Sequence, residues 1–205
     1  MPYYHVHLTK NGIKGTYRLE VRGRVLRIGV GERKLTDGRI QILSIDNCEL
    51  YTANLDKSET IKTANILKRL FSQQRIHNYT IKNPNGDKIG ALWALKSRQQ
   101  ESYVMEFENN SFRILTDADE FFPLTVYCNN EKIACMEKGL LFDGGIFYSI
   151  AADICDYLDP LFLFSVYYDI IHTSLNAYIA ETSLLPQQEP KPVEMITKSA
   201  EIKND

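Results

Sequence analysis

Four polar side chains near the C-terminus have the types that catalysis uses: Ser165, Asp169, His172 and Asn176. At about 100° per residue they fall on one stripe of a single helix, with Thr173 at its edge. Asp169 and His172, three apart, are neighbours on that face. A hydroxyl, an imidazole and a carboxyl suggest a nucleophile, a base and an orienting acid. A working triad draws its members from separate elements, because three residues on one helix do not converge on one reacting atom. The stripe is therefore read as non-catalytic. It either faces solvent through a gap or is hydrogen-bonded to side chains packed around it.

Other groupings carry less. His5 and His7 are two apart on a strand, so they face the same side and could hold zinc, but no third ligand has suitable spacing. They are expected as surface histidines on an edge strand, and no metal is expected. Asp153, Asp156 and Asp159 stand at intervals of three. A calcium loop uses alternate positions, a central glycine and a terminal glutamate, so this segment does not match one. Asp159 is read instead as the N-cap of a helix whose first turn begins with Pro160. Gly29-Val30-Gly31 lacks a third glycine and a following helix and is read as a turn, while Gly144-Gly145 leads into a strand. Neither cradles a phosphate, and no cofactor is expected.

The net charge of −2 conceals an asymmetry. Residues 1–100 carry 18 Lys and Arg against 8 Asp and Glu, whereas residues 101–205 carry 6 against 18. The two halves can neutralise each other within one body, or the basic half can present a face to an anionic partner. Lys14, Arg18, Arg22 and Arg24 are the candidate ligand-binding residues of that half. Arg18, Arg22 and Arg24 are expected on one strand face with Glu20 between them, where they could meet an anionic membrane lipid surface or a protein partner. Nucleic acid is disfavoured, because the tyrosines mostly alternate into the core and leave few rings for base stacking.

These side chains need a scaffold, and 205 residues suit one domain with a tail. From Pro160 to about residue 181 the chain is apolar around most of its circumference, so that helix has to be surrounded. It is long enough to cross a bilayer, but Asp169 at its centre would cost about 2.5–3.5 kcal/mol there. A buried helix of a soluble domain is the better reading. A second helix, amphipathic, is expected over residues 58–74, with Ile61, Ala64, Leu67, Leu70 and Phe71 on one face. The rest alternates as eight to twelve short strands separated by turns too short for parallel crossovers, so the sheet is antiparallel. A phase slip at Gly23-Arg24 suggests a bulge or corner. The domain is expected over residues 1–185. Residues 186–205, rich in proline and charge, are expected as a flexible tail. No secretory signal is expected from the N-terminal residues, and the four cysteines lack CxxC spacing, so reduced thiols and a cytoplasmic location, peripheral to the membrane, are expected.

Two segments carry a family resemblance. The run Tyr79-Thr80-Ile81-Lys82-Asn83-Pro84-Asn85-Gly86-Asp87-Lys88-Ile89-Gly90 forms a strand, a turn and a return strand. Phe147-Tyr148-Ser149-Ile150-Ala151-Ala152-Asp153 precedes the apolar stretch from Leu158 to Ile171. Over about residues 1–182 the chain resembles the tubby-like superfamily, which includes LURP-one-related and phospholipid-scramblase-like proteins. The resemblance implies a mainly β (α+β) fold: a closed antiparallel β-barrel of roughly twelve strands around a hydrophobic C-terminal helix. It also implies phospholipid contact, although no lipid-site motif matches residue by residue. The function expected is a non-enzymatic binding module for anionic phospholipid headgroups or a protein partner. The alternatives are a small-molecule or fatty-acid carrier using the barrel interior and a hydrolase using the Asp169/His172 stripe.

Overall fold

Apolar residues at every second position generate strands throughout the computed structural model, which describes residues 2–10, 14–32, 38–56, 74–96, 101–117, 120–140, 146–152 and 155–183, with helix side chains described as far as His172. Among these residues are twelve strands: β1 (Tyr3–Lys10), β2 (Lys14–Val21), β3 (Arg24–Glu32), β4 (Arg39–Leu43), β5 (Glu49–Leu55), β6 (Gln74–Lys82), β7 (Lys88–Lys96), β8 (Glu101–Phe107), β9 (Asn110–Asp117), β10 (Glu120–Cys128), β11 (Glu131–Leu140) and β12 (Ile146–Ala152). Each pairs antiparallel with its sequence neighbours, and β1 closes on β12 with Tyr4 opposite Ile150 and Val6 opposite Tyr148. The result is a closed barrel, which has no sheet edge for another chain to pair with.

Inward positions hold the large side chains. Tyr17 and Leu19 on β2, Ile40 and Ile42 on β4, Tyr103 and Met105 on β8, and Tyr148 and Ile150 on β12 are all buried. Fully burying one such apolar side chain is worth about 1.5–3 kcal/mol. The core therefore derives from period-two patterning repeated around a ring. At one end the strands are joined by tight turns centred on residues 22–23, 45–46, 84–85, 108–109 and 129–130. Positive φ values mark the sharpest, with Arg22 at 48°, Gly23 at 76°, Asn129 at 50° and Asn130 at 73°. Two consecutive left-handed residues match the right-handed twist of the flanking strands.

After β12 a short 3-10 turn, Cys155–Tyr157, leads into α1 (Leu158–Ser183). Every residue from Leu161 to Ile171 is buried. The helix touches strands far apart in the ring order. Asp169 accepts hydrogen bonds from Tyr17 of β2 and Tyr148 of β12, Tyr167 donates to the His77 carbonyl of β6, and Phe164 packs against Tyr103 of β8 at 5.4 Å between ring centroids. It runs in the same direction as β3. Arg27 meets Asp159, a Cβ built on Gly29 would lie 3.0 Å from Phe162 Cζ, and one on Gly31 would lie 2.5 Å from Ile170 Cδ1.

Several expectations need correction. The helix opens at Leu158, so Asp159 lies in its first turn instead of capping it. Gly29-Val30-Gly31 is the interior of β3, where missing side chains make room for the helix. The bulge expected at Gly23-Arg24 lies at Leu26, which has no opposite residue, and Gly23 itself belongs to a hairpin turn. β1 is no edge strand, since it lies between β12 and β2. The helix expected over 58–74 lies outside the described residues except for Gln74, which opens β6. The tail expected over 186–205 also lies outside them. No helix among the described residues is long and apolar enough to cross a membrane.

Candidate functional site

The polar stripe of α1 meets the wall side chain by side chain. Asp169 is 1% exposed, and its carboxyl accepts from Tyr17 Oη at 2.7 Å and Tyr148 Oη at 2.9 Å. Those two tyrosines come from β2 and β12, separated in the ring only by β1. Burial, with the Asp169 charge and hydrogen bond after it, drives the Tyr148 phenol far above its ordinary pKa. It therefore stays a donor. One turn nearer the N-terminus, Ser165 Oγ donates to the Leu161 carbonyl at 2.8 Å and lies 3.2 Å from Met136 Sδ on β11. His172 Nε2 lies 2.8 Å from Tyr103 Oη, and its ring stands 4.2 Å from that of Tyr168. Burial first, then the Lys138 and His77 charges, lower the His172 pKa to about 4 against an opposing pull from Asp169. Its imidazole is neutral at physiological pH. The Asn176 side chain lies outside the described residues.

This arrangement does not assemble a nucleophile. A Ser–His pair needs its hydroxyl within hydrogen-bond reach of the base. Here Ser165 bonds a carbonyl of its own helix and His172 bonds a tyrosine on β8. The stripe acts as a set of polar fasteners between α1 and β2, β8, β11 and β12. A buried carboxyl with two phenol donors satisfies both sides of the contact, whereas an unpaired one would be costly.

The basic residues fall in three places. Arg18 is on the outer face of β2 opposite Ile28, Arg22 is in the β2–β3 turn, and Arg24 pairs with Val21. That register puts Arg24 on the face opposite to that of Arg18, so the three do not share one strand face as expected. They form the side and tip of a hairpin instead. Lys14 stands at the far end of β2, about 23 Å from the turn at the usual strand rise, and its ammonium pairs with Glu32 at 2.8 Å. It is not part of the tip. Nothing in the sequence marks Arg27 as a structural residue. It is half-buried and holds Asp159 through Nε at 2.9 Å and Nη2 at 3.3 Å, clamping the start of α1 to β3.

On the outer wall His5 Nδ1 lies 3.0 Å from Ser149 Oγ, while the His7 ring stacks on Phe147 and stands 3.9 Å from Glu20. No group of three potential metal ligands occurs among the described residues. Arg75 lies over the Trp93 ring at 4.2 Å, a cation–π contact that no motif announces. Comparison with known families, curated proteins and solved structures finds no match to this chain.

Proposed function

We propose that this chain is a non-enzymatic, tubby-like barrel that carries α1 along its axis and docks its β2–β3 hairpin on anionic phospholipid headgroups. Its place would be the cytoplasmic face of a membrane, as a peripheral protein. The axial position of α1 is supported by the buried run from Leu161 to Ile171 and by partners on β2, β6, β8 and β12. The tubby-like reading is supported by the twelve antiparallel strands followed by an apolar helix.

The observation that carries the lipid reading is the hairpin tip. Arg18, Arg22 and Arg24 are all exposed, and none forms an ion pair with a carboxylate among the described residues. Beside them the register that pairs Ile28 with Leu43 brings up the β4–β5 turn, where Ile45 is 51% exposed. Unpaired cations next to an outward aliphatic group suit a headgroup layer. Each cation near an anionic surface contributes about 1 kcal/mol. Reversing all three to glutamate should weaken co-sedimentation with phosphatidylserine vesicles by more than about 100-fold. Binding by the parent chain should also fall with added salt and be absent with phosphatidylcholine alone. Equal sedimentation of variant and parent, at unchanged melting temperature, would defeat the proposal.

A further inference from the structure

The outer wall carries a second feature, four strands round from β2 and independent of the hairpin tip. Val104 of β8, Arg113 of β9 and Tyr127 of β10 stand directly opposite one another in consecutive strand pairs. Cross-strand neighbours on one face have Cβ atoms about 4.5–5.5 Å apart, so these three form a continuous row. Ser111 lies two positions from Arg113 on the same face of β9, and the Asn129–Asn130 turn lies beside Ser111. Together the six residues line a depression of about 460 Å³. That lies within the roughly 300–1,000 Å³ range of small-molecule sites.

Its chemistry is selective. Val104 supplies an apolar floor and Tyr127 an aromatic wall. Arg113 is exposed and forms no ion pair with a carboxylate among the described residues, and the Asn130 amide has no hydrogen-bond partner there. Asn129 is engaged: its Oδ1 accepts from the Ser111 amide at 3.3 Å and its Nδ2 donates to Asn110 Oδ1 at 3.4 Å. Those bonds fix the turn beside Ser111. No carboxylate among the described residues lines the depression. The nearest by register is Glu106, opposite Ser111.

We propose that this depression binds a small phosphomonoester carrying a flat ring, about the size of a mononucleotide. The phosphate lies on the Arg113 guanidinium with the Ser111 hydroxyl and Asn130 amide as further donors, and the ring lies against Tyr127. A guanidinium fork matches phosphate oxygens two at a time. A third oxygen is left for donors on the neighbouring residues, which a carboxylate could not use.

The test is calorimetric titration of the full chain with AMP, adenosine and inorganic phosphate, with amide shifts mapped by NMR. AMP should bind, with shifts confined to β8–β10 and the 129–130 turn. Adenosine and inorganic phosphate should each bind at least about 10-fold more weakly. Arg113→Gln should reduce AMP affinity about 10- to 100-fold. Arg113→Lys should reduce it less, and Glu106→Gln should raise it. Because Arg113 is exposed, these variants should keep the parent melting temperature. No AMP binding at millimolar concentration, unchanged binding by Arg113→Gln, or shifts mapping to the β2–β3 hairpin would each overturn the proposal.

Discussion

Adding one methyl group at Gly31 tests how β3 and α1 fit together. Gly31 is buried in β3, and a Cβ there would lie 2.5 Å from Ile170 Cδ1, 3.1 Å from Ile170 Cγ1 and 3.2 Å from Val166 Cγ1. Overfilling a packed core costs about 1–3 kcal/mol, since side chains must leave their rotamers. Against that, alanine restricts the unfolded chain and returns about 0.4–1 kcal/mol. Gly31→Ala should therefore lose about 1–2 kcal/mol, or about 3–6 °C in melting temperature for a chain of this length. Ile170→Val alone removes Cδ1 and should lose about 0.5–1.5 kcal/mol. In the double variant the new methyl occupies the space that Cδ1 vacated, so the combined loss should fall short of the sum by about 1 kcal/mol or more. Urea unfolding followed by far-UV circular dichroism measures all four proteins. Additive losses within about 0.5 kcal/mol, or stabilisation by Gly31→Ala, would refute the contact.

The stripe of α1 gives two further expectations. Asp169→Ala leaves the buried Tyr17 and Tyr148 hydroxyls without this acceptor, at about 1–3 kcal/mol each, so a loss of about 2–5 kcal/mol is expected and Asp169→Asn should lose less; a denaturant-derived loss under about 1 kcal/mol would contradict it. Burial holds His172 at about 4, whereas the unfolded chain titrates near about 6.5, so between these pH values only the unfolded chain takes up this proton. The His172 contribution to stability is thus complete above the unfolded pKa and declines as pH falls toward 4, by up to about 3 kcal/mol, and melting curves of His172→Asn should slope less over that range than the parent's.

Much of the barrel was legible because its cause is local. Inward residues alternate at β2, β8, β9 and β10, and paired asparagines at 129–130 mark a tight turn. A range of eight to twelve strands and the antiparallel pairing followed from those signals. That the sheet closes was legible from the helix that has to be surrounded, but not which strands close it, since the pairing of β1 with β12 joins residues nearly 150 apart and leaves no mark on either strand. Without that pairing β1 reads as an edge strand, and His5 and His7 with it. Glycine misled in two ways. At Gly29 and Gly31 it signals space for α1, although in sequence it reads as turn punctuation. At Gly23 a hairpin and a bulge both break the alternation, and only the register tells them apart.

Among the candidate residues, periodicity grouped Ser165, Asp169 and His172 on one helix face. Their partners Tyr17, Tyr103 and Tyr148 looked like ordinary core tyrosines, because a phenol's hydrogen bond has no sequence signature. Arg18, Arg22 and Arg24 were found by charge density, but their faces depended on the turn. Arg27 and Arg113 were hidden among the other arginines. The first is distinguished only by meeting Asp159 at the start of α1, and the second only by the depression around it.

The account stands on α1 being enclosed by strands on opposite flanks. Nuclear Overhauser contacts in the full-length chain measure that directly. The Ile170 methyls should contact the Gly31 Hα protons of β3 while the Phe164 and Tyr168 rings contact Tyr103 of β8. Contacts from α1 to only one of these strands would contradict the axial position proposed for α1.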